Sequence, residues 1–276
     1  MKKIDLHCHT SASDGLLKPE KLLDLAVANE LSYCAITDHD TVDGINEAIQ
    51  YSKQLDVLTF IPGIEFSVDY PDGSFHLVGL EIDHRNEQMN EDIKYLKDKR
   101  EKRGIRIVED LNKHGIEIKY EDVNKVANGA SLGRPHIARV LLNKGYGESL
   151  NEIFKNFMVK GKPGYIKKEK ISLRRAIELI RLAGGVPIIA HPVSLNFKSW
   201  TDFESILQEC IELGIRGIEV YAHMHTDEQV ERFMDFANKY NLIISGGSDY
   251  HGDKDEKIGY YGNERIIPFD IINQFV

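Results

Sequence analysis

The sequence predicts an α/β fold built on a mainly parallel sheet or barrel. Seven short runs rich in β-branched residues alternate with longer helical patterns, the rhythm of a sheet whose strands are joined by helical crossovers rather than of a sandwich. Hydrophobic residues at 42% and charged residues at 29% are the proportions of a globular domain, which sets aside a disordered chain, a collagen-like repeat and a coiled coil. No apolar run approaches the ~18 residues a membrane helix requires. With 276 residues the chain suits one or two domains and has ample volume for a core.

The elements follow in order. Residues 4–6 read as a short strand, and Pro19 opens an amphipathic helix whose Leu22, Leu23, Leu25, Ala26 and Leu31 recur at helical spacing. Residues 33–37 form the second strand, followed after Thr41 by a helix to about Gln54. Runs at 57–66 and 75–82 are close enough to pair. The alternation resumes with a helix at 172–183, a strand at 186–190, a helix at 203–213, a strand at 217–221, a helix at 227–240 and a strand at 242–245. Between these halves the rhythm stops: 93–113 and 135–144 are helical, and Gly161-Lys162-Pro163-Gly164 marks a loop near the exit. We therefore expect a barrel in two parts, 1–93 and 172–276, interrupted by a helical insertion at 94–171.

Charge is unevenly placed. The formal net charge is −9, yet from Lys94 to Arg175 there are 21 basic and 10 acidic residues, a net of +11, leaving 14 and 34 elsewhere, a net of −20. The total argues against broad double-stranded DNA binding without excluding a small or single-stranded phosphate ester. Three cysteines do not build a disulfide framework, and the opening MKKIDLHCHTS has no apolar stretch long enough for a signal peptide. A reducing cytoplasm is the expected compartment. No membrane association and no protein partner are implied.

The chemistry gathers at strand ends. In Asp5-Leu6-His7-Cys8-His9 an extended chain puts His7 and His9 on one side, about 6 to 7 Å apart, so both imidazoles can reach one metal ion. Cys8 points the other way and reads as packing. His39 in Thr37-Asp38-His39-Asp40 follows the second strand, Glu65 closes the third, His191 follows the fifth, and Asp249-Tyr250-His251 follows the last. The carboxyl ends of parallel strands are where α/β barrels assemble their active sites. His76 lies near the start of its strand and fits if the strands carrying Glu65 and His76 run antiparallel.

With Asp14 the set holds six histidines and three carboxylates, too many for a single four-coordinate ion. Two to three divalent ions are expected: manganese first, with zinc or iron as alternatives, calcium disfavoured and magnesium less suited to so many imidazoles. Such ions make hydroxide available at neutral pH and clamp a transferring oxyanion, which is hydrolytic chemistry on a phosphate ester or an amide. An EF-hand reading of Asp38 to Gly44 fails on spacing, because Asp43 stands where glycine is expected. There is no Walker-type glycine loop and no GxSxG elbow.

Taken together, Asp5-Leu6-His7-Cys8-His9-Thr10, Thr37-Asp38-His39-Asp40, Gly63-Ile64-Glu65, His76, Ala190-His191-Pro192 and Gly247-Ser248-Asp249-Tyr250-His251 resemble the PHP family, the polymerase and histidinol phosphatase superfamily of metal-dependent phosphoesterases. The run His7 to Gly15 and the helical insertion look most like the branch that hydrolyses nucleoside 3',5'-bisphosphates and trims short oligoribonucleotides from the 5' end. The resemblance implies a distorted seven-stranded, TIM-like barrel with a trinuclear site. It implies one ion on His7, His9, Glu65 and Asp249, a second on Glu65, His76 and His191, and a third on Asp14, His39 and His251, with Glu65 bridging. Histidinol phosphatases of the family tend to have histidine at the position of Asp14. The resemblance also points to Arg134 and His136 in Gly133-Arg134-Pro135-His136 as substrate contacts, and a guanidinium at a helix amino end suits a phosphate. His191, His251 or a metal-bound water are the candidates for protonating the leaving group.

The remaining candidates are weaker. His225 follows the sixth strand with His223 and faces the same rim, where it either touches substrate or is a loop histidine. His84 and His114 read as surface residues, and Lys160, Lys162, Lys167 and Lys168 as a solvated face with phosphate steering as the alternative. The leading reading is a metal-dependent phosphatase or 5'-acting nuclease on a small phosphorylated substrate. Its competitors are a histidinol-phosphate phosphatase, an amidohydrolase, which lacks here a lysine at the Glu65 position, and a non-catalytic metal-binding module.

Overall fold

A computed structural model of the chain describes residues 2–71, 73–127 and 132–275. The strands are β1 (Lys3–Asp5), β2 (Leu31–Ile36), β3 (Thr59–Asp69), β4 (Phe75–Leu80), β5 (Ile171–Ser172), β6 (Val186–Ile189), β7 (Gly217–Ala222) and β8 (Ile243–Gly247), followed by a hairpin of β9 (Tyr260–Tyr261) and β10 (Arg265–Ile266). The helices are α1 (Pro19–Ala28), α2 (Ile45–Ser52), α3 (Glu87–Lys113), α4 (Tyr120–Ala127), α5 (Arg134–Asn143), α6 (Leu150–Ile153), α7 (Leu173–Leu182), α8 (Trp200–Leu213) and α9 (Asp227–Lys239). Polar side chains fix several starts: Asn86, Ser172, Ser199 and Thr226 accept from the backbone N–H three residues on, at Met89, Arg175, Asp202 and Gln229.

The sheet runs β1-β2-β3-β4-β6-β7-β8, with β5 beside β3. All seven expected strands are present. β4 is antiparallel to both β3 and β6, because the few residues between β3 and β4 suffice for a hairpin and not for a crossover. The other neighbours are parallel. The two end strands meet: Leu6 N–H donates to Gly246 O at 3.1 Å, Asp249 N–H to His7 O at 2.9 Å and His9 N–H to Tyr250 O at 2.8 Å, which nearly closes the sheet into a barrel. The closure depends on Gly247, where a Cβ would stand 2.1 Å from that of His7.

Two expectations are corrected. Leu31 opens β2 instead of ending α1, because Glu30 turns the chain with φ of 62°. β5 and the β9-β10 hairpin were not foreseen; at two residues a strand has no periodicity to read. The barrel core is formed by residues such as Leu22, Ile36, Ile64, Phe66, Phe203 and Phe233. The helices between β4 and β5 bury a second set, with Ile107, Leu111, Val123, Ile137, Leu141 and Ile153 packed on one another.

Candidate active site

Strand ends deliver the metal-ligand candidates to one place. Glu65 on β3 is buried at the centre, with both carboxylate oxygens ringed by imidazoles. Its Oε2 lies 2.8 Å from His39 Nδ1, 3.3 Å from His9 Nε2 and 3.4 Å from His7 Nε2, and its Oε1 lies 3.0 Å from His76 Nδ1 and 3.1 Å from His191 Nε2. Asp249 Oδ1 is 2.9 Å from His9 Nε2, and His251 Nε2 is 3.4 Å from Asp14 Oδ1. All nine residues expected to ligate metal are therefore in one cluster.

Within it, three sets of donor atoms each fit within 4.8 Å of one another: His7, His9, Glu65 and Asp249; His9, Asp14, His39 and His251; and His39, Glu65 and His76. The first is the set implied by the resemblance. The second adds His9 to the implied trio. In the third His39 takes the place expected of His191, which still reaches Glu65 through Nε2.

The donors carry the signature of a cation site. His7 Nε2, both nitrogens of His9, His39 Nδ1, His76 Nδ1, Glu65 Oε2 and Asp249 Oδ1 are buried without a hydrogen-bond partner. Orphaned polar atoms on this scale are costly unless something binds them. The tautomers agree. His7 Nδ1 faces Glu219 Oε1 at 2.9 Å and His251 Nδ1 faces the Asp249 carbonyl at 2.7 Å, so both Nδ1 atoms donate and each Nε2 is the nitrogen that offers its lone pair inward once a cation displaces any proton there. Ser194 gives its proton to the Ser74 carbonyl, accepts from His191 Nδ1 and leaves His191 Nε2 facing Glu65. Residues present thus fit two or three divalent ions.

A ring of outer carboxylates holds this arrangement. Glu219, buried on β7, also accepts from the His191 backbone N–H at 2.7 Å. Asp5 accepts from the backbone N–H groups of His7, Ser248 and Gly259, tying β1 to the end of β8. Asp38 accepts from Thr10 and Ser13. Sequence reasoning missed Glu219, whose signal was a lone acid inside an apolar strand. Asp40, His191 and Asp249 sit at φ of 52°, 26° and 53°, left-handed conformations that aim the strand-end side chains inward.

Burial opposes every charge here, and neighbours decide the direction. Burial raises the Glu65 pKa, but His39, His76 and His7 outweigh it and hold the carboxyl well below its ordinary value. Burial lowers His251, but Asp14 and Asp249 outweigh it and push it up to about 10. His9, desolvated and beside His251 and His39, falls to about 3.

Beside the imidazoles opens a cavity of about 220 Å³ lined by Asp14, His39 and His76 on one side and by Arg100, Arg103, Arg134, Lys168 and Lys170 on the other. Arg100 and Lys168 share the single carboxylate of buried Asp40, and Lys168 also bonds Ser67 Oγ at 2.7 Å. Lys168 therefore is not the solvated lysine expected of it; burial, offset by Asp40, takes its pKa to about 8. Arg103, Arg134 and Lys170 have no carboxylate within ion-pair distance among the described residues. Arg103 donates through Nε to the Ile166 carbonyl at 2.6 Å, and burial beside Arg134 and Arg100 lowers its pKa to about 10. Arg134 lies over the Phe154 ring, 5.8 Å from its centroid. Sequence reading had found Arg134 but not Arg103, which lies inside a charged helical run.

Two expected substrate contacts lie elsewhere. His136 is buried, with Nδ1 accepting from the Gly133 N–H at 3.0 Å as the cap of α5. His225 is buried against Phe233, with Nδ1 donating to the Val220 carbonyl at 2.8 Å. Neither lines the cavity. His223, 44% exposed, is nearer, 3.8 Å from Asp249 Oδ2.

Residues 5–184 match the PHP domain. The chain belongs to the PHP family. Among PHP relatives, a 5'-3' exoribonuclease of Haemophilus influenzae is 35% identical over 91% of this chain and 90% of its own length. A 3',5'-nucleoside bisphosphate phosphatase of Chromobacterium violaceum is 31% identical over 91% of this chain and 88% of its own. A solved structure described as an amidohydrolase from Chromobacterium violaceum, with bound sulfate and no metal, superposes with a TM-score of 0.88 at 30% identity, covering 99% of this chain and 95% of that one. One from Bifidobacterium adolescentis, assigned as a metal-dependent phosphoesterase, gives 0.86 at 30% identity, with 98% and 94% covered. The PHP barrel anticipated from the motifs is the fold observed.

Proposed function

We propose that this PHP protein is a metal-dependent phosphoesterase of small nucleotides, acting on nucleoside 3',5'-bisphosphates, on the 5' end of short oligoribonucleotides, or on both. The observation that carries the reading is the single cavity in which three cations without carboxylate partners, Arg103, Arg134 and Lys170, face His39, His76 and Asp14. Uncompensated cations pressed together and partly desolvated favour an anion between them. Relatives named as an exoribonuclease and a bisphosphate phosphatase support the same substrate class.

In this reading His7, His9, Glu65 and Asp249 would hold one ion, Asp14, His39 and His251 a second, and Glu65, His76 and His191 a third. Bound divalent ions supply hydroxide at neutral pH and neutralise charge on the phosphoryl oxygens, with manganese the first candidate and zinc or iron the alternatives. Arg134 and Arg103 grip a non-reacting phosphate and fix the ester against the metal donors. Glu219 keeps His7 in one tautomer. The Nε2 atoms of His191 and His251 face the ions in this reading, so the proton needed by the leaving oxygen comes from water in the site.

Residues 94–171 act as the insertion that provides the basic wall. Three free, buried thiols, Cys8, Cys34 and Cys210, support a reducing cytoplasm, and no helix among the described residues is long and apolar enough to cross a membrane. The test is phosphate release from adenosine 3',5'-bisphosphate, a 5'-phosphorylated oligoribonucleotide, histidinol phosphate and an amide control, with metal content measured on the same sample. Turnover of either nucleotide is expected. Preference for histidinol phosphate or the amide, or no turnover in fully metallated protein, would overturn the reading.

A further inference from the structure

The cavity does not end at Arg134. It opens into a wider cleft of about 640 Å³ that shares Ser74, Arg103, Arg134, Lys168 and Lys170 with it and adds Tyr165, Lys167 and Asp69. Pockets that enclose a whole ligand usually begin near ~300 Å³, so the inner cavity of about 220 Å³ takes a reacting phosphate and its sugar and little more. Whatever is attached to that sugar lies in the outer cleft.

The outer wall is a built surface. Its segment from Tyr165 to Ile171 is fastened at three points: the Ile166 carbonyl accepts from Arg103, Lys168 bonds Asp40 and Ser67, and Ile171 pairs with Val68 of β3. Tyr165, just before the first fastening, and Lys167, between the first two, line the cleft. Among the described residues five cations face it against one carboxylate, Asp69, which stands 3.9 Å from Lys167 where both are more than half exposed and the attraction is weak. A cationic groove bearing an aromatic ring is the combination that holds single-stranded nucleic acid without reading its sequence.

We propose that the outer cleft is a second nucleotide subsite, in which Lys167 contacts a backbone phosphate and the Tyr165 ring stacks on a base, so that the protein prefers a short single-stranded polynucleotide over a lone nucleotide. The proposal rests on the phosphoesterase reading of the inner cavity and adds to it a preference for length. It assigns roles to two residues that do not line the inner cavity.

Binding in EDTA, where the metal site is stripped and no turnover intervenes, tests it. Fluorescence anisotropy of 3'-labelled, 5'-phosphorylated ribonucleotides one to four residues long should show affinity rising about tenfold from one residue to two or three, the gain expected of one stacked base. In Lys167→Glu and in Tyr165→Ala that gain should shrink to about twofold or less, while binding of the single nucleotide stays as in the parent protein. Lys167 is exposed, so its variant keeps the test valid should Tyr165→Ala unfold. Equal affinity at every length, variants that bind like the parent, absence of binding, or displacement of the RNA by polyglutamate of matched charge would overturn the proposal. Phosphate release from adenosine 3',5'-bisphosphate with manganese is read separately: its failure with the length gradient intact would remove the catalytic reading alone.

Discussion

His7 and Glu219 face each other across the barrel floor, Nδ1 to Oε1 at 2.9 Å, while the other oxygen of the same carboxylate accepts from the His191 backbone N–H at 2.7 Å. One acid therefore orients two metal-ligand candidates at once, and it needs both oxygens to do so. Glutamine offers only one acceptor. Glu219→Gln should weaken metal affinity by about 10- to 100-fold, as losing a carboxylate behind a ligating histidine commonly does. Titration of the metal-free protein with manganese or zinc checks this; unchanged affinity would make Glu219 a packing residue.

Glu65→Gln goes further. Both oxygens of Glu65 face imidazole nitrogens, so no rotamer of an amide avoids turning its NH2 toward His7, His9 and His39 or toward His76 and His191. Metal content and turnover should fall together, turnover by at least about 100-fold. A variant with full activity would refute the bridging role.

The legible part of this site was the part written locally. His7 and His9 stand two apart just past β1, and His39, His191 and Asp249 follow the ends of β2, β6 and β8, so period-two alternation and strand ends located them; Glu65, expected to close its strand, lies inside β3, which continues to Asp69. The antiparallel placement of β4 was legible only as a condition for His76 to join. What could not be read was long-range. Glu219 meets His7 across 212 positions, and Arg103 meets the site only because α3 packs against the segment carrying Ile166. His136 and His225 misled for the opposite reason: each sits beside site residues in sequence, yet its ring is spent on a local backbone bond.

Asp40 holds the insertion to the barrel. Buried between Lys168 and Arg100, it pays for its desolvation through those two cations, which keep its carboxyl below the ordinary value. Asp40→Asn leaves both cations without a counter-charge and should cost about 3–5 kcal/mol in urea unfolding. A depressed carboxylate stabilises only above its unfolded pKa, near ~3.9, and loses that contribution as pH falls through the folded value. The difference between parent and variant should therefore shrink below about pH 4. A difference independent of pH would assign the effect to packing.

Metal binding should compete with protons. His251 is pushed up to about 10 by Asp14 and Asp249 against the effect of burial, so in the metal-free protein it holds a proton at neutral pH that a cation must displace. Affinity should fall as pH drops from about 8 to about 6, with proton release on binding detectable by calorimetry in buffers of different ionisation enthalpy. Saturation at about 100 times Kd should stabilise the fold by about 2.7 kcal/mol. Chelation should reverse that gain, and pH-independent affinity would exclude His251 from the ligands.

Arg134 should act on binding more than on the chemical step. Its guanidinium lies over Phe154 and, among the described residues, makes no hydrogen bond or ion pair with a metal-donor residue, so the phosphoesterase reading gives it a phosphate other than the one being cleaved. Loss of a charge-assisted hydrogen bond of about 1.5–3 kcal/mol predicts an increase of about 10- to 100-fold in KM for a substrate with a second phosphate. The turnover number should change little. For a substrate with one phosphate, KM should stay near that of the parent, because the lost contact was never made. Arg134→Lys should restore only part of the effect, since a point charge cannot reproduce a planar two-pronged grip. Equal losses for both substrates would mean that Arg134 supports the cavity and does not recognise the second phosphate.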